Sequence, residues 1–93
     1  MKAELLLRER QVVADAAFVE MVIWRVPKSV PGSKHEFKYR LAFVVDGVCV
    51  IRYDNETGKG DHKHLGLIES PYRFTTPEKL LASFWADVDQ WRS

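Results

Sequence analysis

A chain of 93 residues, 46% hydrophobic and 29% charged, has the size and composition of one soluble globular domain with a modest core. Its formal net charge of +1 advertises neither a polyanion nor an anionic membrane as partner, although a local basic patch could still hold RNA. The lone cysteine, Cys49, has no partner in the chain, and Leu5-Leu6-Leu7 is followed at once by Arg8-Glu9-Arg10, which fits neither a secretory signal nor a membrane span. A reducing, cytoplasmic location is the simplest expectation.

The first run, Ala3 to Val13, alternates imperfectly and contains good helix formers. It is assigned as a strand because a strand-like segment follows after a short turn around Ala14-Asp15, and two such runs form a hairpin. That second segment, Phe18 to Val26, is rich in β-branched and aromatic residues. Both of its faces are largely apolar, which predicts a central strand covered on both sides. Pro27 ends it, having no amide proton for the ladder. Lys28 to His35 is a polar loop around the Pro31-Gly32 turn, with His35 expected in solvent.

Phe37–Val45 and Val48–Asp54 flank Asp46-Gly47, a strong two-residue hairpin signal because a type I′ turn needs positive φ at both positions. A regular ladder then pairs Val45 with Val48, Val44 with Cys49, Phe43 with Val50, Ala42 with Ile51, Leu41 with Arg52, Arg40 with Tyr53 and Tyr39 with Asp54. Cys49 is expected to be buried and inert. Arg40, Arg52, Tyr53 and Asp54 gather at the open end of the hairpin, where a glycine-rich stretch begins.

Leu65-Gly66-Leu67-Ile68 is a candidate short strand, broken by Glu69-Ser70-Pro71. Tyr72-Arg73-Phe74 is a further extended piece. Thr76 then caps a helix whose first residue is Pro77 and whose first turn carries Glu78. The helix runs to about Trp91, with Leu80, Leu81, Phe84, Trp85, Val88 and Trp91 on one apolar stripe. No linker or repeat divides residues 1–93. The fold class is α+β: an antiparallel β-meander of about four to six strands with one C-terminal amphipathic helix packed on the sheet.

The chemistry-bearing residues concentrate between Arg52 and His64. One reading is metal-free acid–base catalysis on RNA, in which the 2′-hydroxyl attacks the adjacent phosphate. That needs a base, an acid and a cation for the phosphorane charge. Histidine titrates near neutrality and serves as either acid or base. Lys59, Arg40 and Arg52 could hold the phosphate, with the Gly58 and Gly60 amides open beside Lys59. A second reading is a metal site built on His62 and His64, which point to one side of an extended segment, with Asp54, Asp61 or His35 as a third ligand. The plainest reading is a polar turn whose Arg, Asp and His side chains are solvated or paired. Residues and spacing leave all three open. No cofactor is expected.

The run Tyr39 to Val48, then Arg52-Tyr53-Asp54-Asn55 with Gly58-Lys59-Gly60-Asp61-His62-Lys63-His64, resembles the TumE family of bacterial toxins. So do Pro71-Tyr72-Arg73-Phe74 and the Phe84-Trp85-Asp87 helix. The resemblance implies a growth-inhibiting toxin of a type II toxin–antitoxin module, with a helix-turn-helix antitoxin as partner. By analogy with other small toxins, RNA or the ribosome is the target, and an endoribonuclease the activity. On that reading His62 and His64 are acid and base, Lys59, Arg40 and Arg52 bind phosphate, Asp54 or Asp61 orients a histidine, and Tyr53 completes the site. The alternative is a module that inhibits translation, or partners a DNA-binding regulator, without chemistry. Exposed sheet edges would suit pairing with a second copy or with the antitoxin.

Overall fold

The computed structural model describes residues 2–93. Six strands follow one another along the chain: β1 (Glu4–Ala14), β2 (Ala17–Arg25), β3 (Phe37–Val45), β4 (Val48–Asp54), β5 (His62–Leu65) and β6 (Ile68–Pro71). They pair antiparallel in the order β1-β2-β3-β4-β5-β6, a plain meander, and helix α1 (Pro77–Arg92) closes the chain.

The core lies between the sheet and α1. Val19, Met21 and Ile23 from β2, Leu41 and Phe43 from β3, and Ile51 and Tyr53 from β4 are buried under Leu80, Phe84 and Val88 of the helix. Tyr53 meets Phe84 edge-on, with ring centroids 5.8 Å apart. Thr76 caps the helix as expected, its hydroxyl accepting from the Lys79 amide at 3.1 Å. Leu81 and Trp85 flank the buried stripe half-buried, while Trp91 sits at its end against the edge of Phe43.

Only one face of the sheet is covered by the helix. Phe18, Glu20, Val22 and Trp24 on the other face of β2 are half-buried, so the expectation of a strand covered on both sides is corrected. One helix stripe is wide enough for one face, and no other described element lies on the second.

The β3–β4 ladder departs from the regular register. Val45 pairs with Val48 and Val44 with Cys49, as expected, but Phe43 then pairs with Ile51. Val50 is the extra residue of a bulge. Beyond it every partner shifts by one: Ala42 faces Arg52, Leu41 faces Tyr53 and Arg40 faces Asp54. Burial drives the shift. A regular ladder would put Arg52 and Asp54 beneath the helix and turn Ile51 and Tyr53 outward, whereas the bulge buries the two apolar residues. Cys49, close to the turn, is exposed and not buried.

Leu65 to Ile68 is the tip of a further hairpin, not a strand. Gly66, at φ +63°, and Leu67 form the turn between β5 and β6, and Glu69 and Ser70 continue β6. Tyr72 to Phe74 has no regular structure.

Candidate functional site

Antiparallel partners share a face, so the registers define rows of side chains across the helix-free surface. One row runs Val22, Arg40, Asp54, His62, Pro71; the next runs Glu20, Ala42, Arg52, His64, Glu69. The bulge at Val50 is what brings Arg40, Arg52 and Asp54 onto the same surface as both histidines.

Asp54 is the buried hub, with 4% of its surface exposed. Its Oδ1 is 2.8 Å from His62 Nε2 and its Oδ2 is 3.2 Å from Arg52 Nε. Neither contact completes a hydrogen bond, so Arg52 Nε, Asp54 Oδ1 and His62 Nε2 are buried without a hydrogen-bond partner. His62 Nδ1 is 3.1 Å from the Gly60 carbonyl, so both ring nitrogens face oxygen. His62 lines an open cleft of about 350 Å³, shared with Lys59, Asp61, Glu69, Ser70 and Pro71.

His64 is more open. Its Nε2 lies 2.9 Å from Arg52 Nη2, a donor, and 2.9 Å from the Glu69 carboxylate, an acceptor. Each protonation state of this nitrogen satisfies one neighbour: a lone pair accepts from Arg52, and a proton is donated to Glu69. The two imidazoles meet edge to face with centroids 5.2 Å apart. Arg52 bridges Asp54 and His64, which places a permanent positive charge between the carboxylate and the second imidazole.

Asp54, His62 and His64 each offer a ligand atom within 4.8 Å of the others, a donor set of the kind that holds zinc or iron. The Arg52 guanidinium sits in contact with two of these residues. A divalent ion there would meet a fixed cation at close range, so the donor set fits a metal only if Arg52 swings away.

Asp61 belongs to a different cluster. Its Oδ1 accepts from the Ser33 hydroxyl at 2.8 Å, and its Oδ2 accepts from the Tyr39 hydroxyl at 2.7 Å. His35 Nδ1 accepts from the Phe37 amide, so Nε2 carries the proton and donates it to Asp61 Oδ2 at 2.7 Å. The His35 ring stacks on Phe74 at 3.8 Å. His35 is therefore not a solvated loop residue. Asn55, almost fully buried, accepts from the Tyr39 amide and donates to the Phe37 carbonyl and the Ser33 hydroxyl. Burial first, then the Asp61 hydrogen bond, push the Tyr39 phenol far above its ordinary pKa.

The loop carrying Pro31-Gly32 lies on the Gly58–Asp61 segment. The Gly58 amide donates to the Pro31 carbonyl at 2.6 Å and the Lys59 amide to the Glu56 carbonyl at 3.1 Å. The Gly58 amide is thus not open to an anion, and Gly60 is buried. A Cβ on Gly32 would lie 2.7 Å from the Gly60 nitrogen, so the two loops touch only because glycine stands there.

The structure brings Arg40, Arg52, Asp54, His62 and His64 onto one surface. It places Tyr53 on the opposite face, buried against α1, where its hydroxyl donates to Asp87; burial and that bond raise its pKa well above 10. Lys59 is exposed at the rim of the cleft, its Nζ 3.7 Å from Glu56. Sequence reasoning missed Glu69, whose signal was a turn at Gly66-Leu67 that would set it across from His64. It also missed the Asp61 contacts with Ser33, His35 and Tyr39, for which no local pattern exists. Among the described residues, no helix is long and apolar enough to cross a membrane.

The family model described as Toxin TumE matches residues 2–92, nearly the whole chain. No curated protein and no solved structure matches it.

Proposed function

We propose that this chain, which belongs to the TumE toxin family, arrests growth by cleaving RNA without a metal ion, through proton transfer at His62 and His64. As a member of that family it is the toxin of a toxin–antitoxin pair and has a cognate antitoxin as partner. A helix-turn-helix protein is the antitoxin this reading expects.

The observation that carries the catalytic reading is the Asp54–Arg52–His64 bridge beside His62. It supplies two imidazoles, a fixed cation and a buried carboxylate on one open surface. His64 takes the proton of the attacking 2′-hydroxyl. The 2′-oxygen bonds to phosphorus, the bond from phosphorus to the 5′-oxygen breaks, and His62 gives that oxygen a proton. His62 Nε2 is buried 2.8 Å from Asp54 Oδ1, so this step needs the ring to turn toward the cleft. Arg52 and Arg40 face the charge that grows on the phosphorane, and Lys59 reaches it from the rim. The products are a 2′,3′-cyclic phosphate and a 5′-hydroxyl.

Asp54 holds Arg52 and His62 in place. Asp61 and Tyr53 act at a distance, the first by bracing the loop before β5 and the second by fixing β4 to the helix. Incubating purified chain with end-labelled RNA tests the proposal: cyclic-phosphate ends support it, and intact RNA over long incubation favours an inhibitor that only binds.

A further inference from the structure

Beyond the Asp54–His62 row, the helix-free face continues over β3, β2 and β1 with a different composition. Its charged side chains there are Arg8 and Arg10 from β1, Lys38 and Arg40 from β3, and Glu20 as the one acid. Aromatic rings lie among these cations: Arg10 Cζ is 4.1 Å from the centre of the Phe18 ring, and Arg8 Cζ is 6.0 Å from that of Trp24. Lys38 and Arg40 have no ion-pair partner among the described residues. Between them runs a cleft of about 230 Å³ lined by Val22, Trp24, Lys38, Tyr39 and Arg40.

We infer that this surface binds the single-stranded RNA flanking the cleaved bond, with a base on Trp24 and its phosphates on Lys38 and Arg40. The inference rests on the RNA-cleaving reading above and extends its site. Cations alternating with an open aromatic face are the general means of holding a single strand, since the bases stack and the backbone follows the positive charge. The four-to-one excess of cations on the helix-free face of β1–β3 matches a polyanion, in a chain whose total charge is only +1. The surface is continuous with the proposed chemistry. Val22, Arg40, Asp54 and His62 are successive partners, so β2 lies three strand spacings, about 14 Å, from β5. A duplex buries its bases in its own stack and cannot offer one to Trp24.

The test measures binding of a labelled, fully 2′-O-methylated single strand, which cannot be cleaved, and of its duplex, across a salt series. The expected result is a preference for the single strand. Lys38→Glu weakens it about tenfold and lowers the salt slope by about one. Trp24→Leu weakens it about tenfold while Trp24→Phe loses less. Lys79→Glu, on the helix at the opposite face, changes nothing. Should Trp24→Leu not fold, the exposed Lys38→Glu decides alone. Wild-type binding that Lys38→Glu and Trp24→Leu leave intact overturns the platform and spares the catalytic reading. A wild-type chain that ignores single-stranded RNA sinks both. Loss of antitoxin binding in Lys38→Glu with RNA binding unchanged gives the surface to the antitoxin and overturns the inference.

Discussion

Arg40 stands directly across the β3–β4 ladder from Asp54 because Val50 is an extra residue on β4. That single bulge decides which side chains share a surface. It turns Tyr53 and Ile51 toward the helix and Arg52 and Asp54 toward the histidines of β5.

Deleting Val50 is therefore expected to keep this arrangement. The shortened strand pairs regularly with the same partners, Phe43 with Ile51, Ala42 with Arg52, Leu41 with Tyr53 and Arg40 with Asp54, so the two apolar residues stay beneath α1 and the polar ones stay on the other face. Thermal unfolding followed by circular dichroism should show a cooperative transition for the deletion variant. A deletion variant without a cooperative transition would remove the bulge from the account.

Asp61 is expected to act on stability, not on chemistry. Asp61→Ala strands the Tyr39 hydroxyl, the His35 N–H and the Ser33 hydroxyl, groups that are partly or largely buried. The cost is about 2 kcal/mol, which lowers the melting temperature of a domain this size by about 10 °C. At a temperature where the variant is folded, its RNA cleavage should stay within a few-fold of wild type. A loss of cleavage of a hundredfold or more without a loss of stability would make Asp61 part of the chemistry.

Stability should fall in alkali. Free tyrosine ionises near pH 10, whereas burial and a carboxylate partner raise the folded phenols of Tyr39 and Tyr53 well above that. Above about pH 10 the unfolded chain binds fewer protons than the folded one, so unfolding becomes easier as pH rises. Below that pH the contribution is fully present. Denaturant melts at about pH 9 and about pH 11 check this, and equal midpoints would contradict it. The Tyr53→Phe variant should show a shallower decline.

Much of the fold was legible because local rules agree with the tertiary result. Asp46-Gly47 marked a hairpin, Thr76-Pro77-Glu78 marked a helix start, and the spacing of Leu80, Phe84 and Val88 marked the buried stripe. The bulge was not legible. Cys49-Val50-Ile51 suits a strand in either register, and only the helix decides which residue must be buried. The concentration of function between Arg52 and His64 was visible, but its division was not. Asp61 and His62 are neighbours in sequence whose side chains enter separate networks, because β5 starts between them. His35 found its partners through a loop contact more than twenty residues away in sequence, beyond any periodic pattern.

Metal removal separates the proposed chemistry from its nearest rival. Asp54, His62 and His64 could serve as ligands, but Arg52 already supplies the positive charge beside them. Treatment with a chelator followed by dialysis should leave the cleavage rate unchanged. Loss of activity that zinc or manganese restores would replace the imidazole mechanism with a metal-dependent one.

The most direct measurement compares wild type, His64→Ala and the His62→Ala/His64→Ala pair on end-labelled RNA, with folding checked by circular dichroism and growth arrest scored alongside. Losing one general acid or base should slow cleavage by about a hundredfold or more, and losing both should abolish cleavage and arrest. A folded double variant that still cuts RNA and stops growth at the wild-type rate would contradict the assignment of chemistry to this histidine pair.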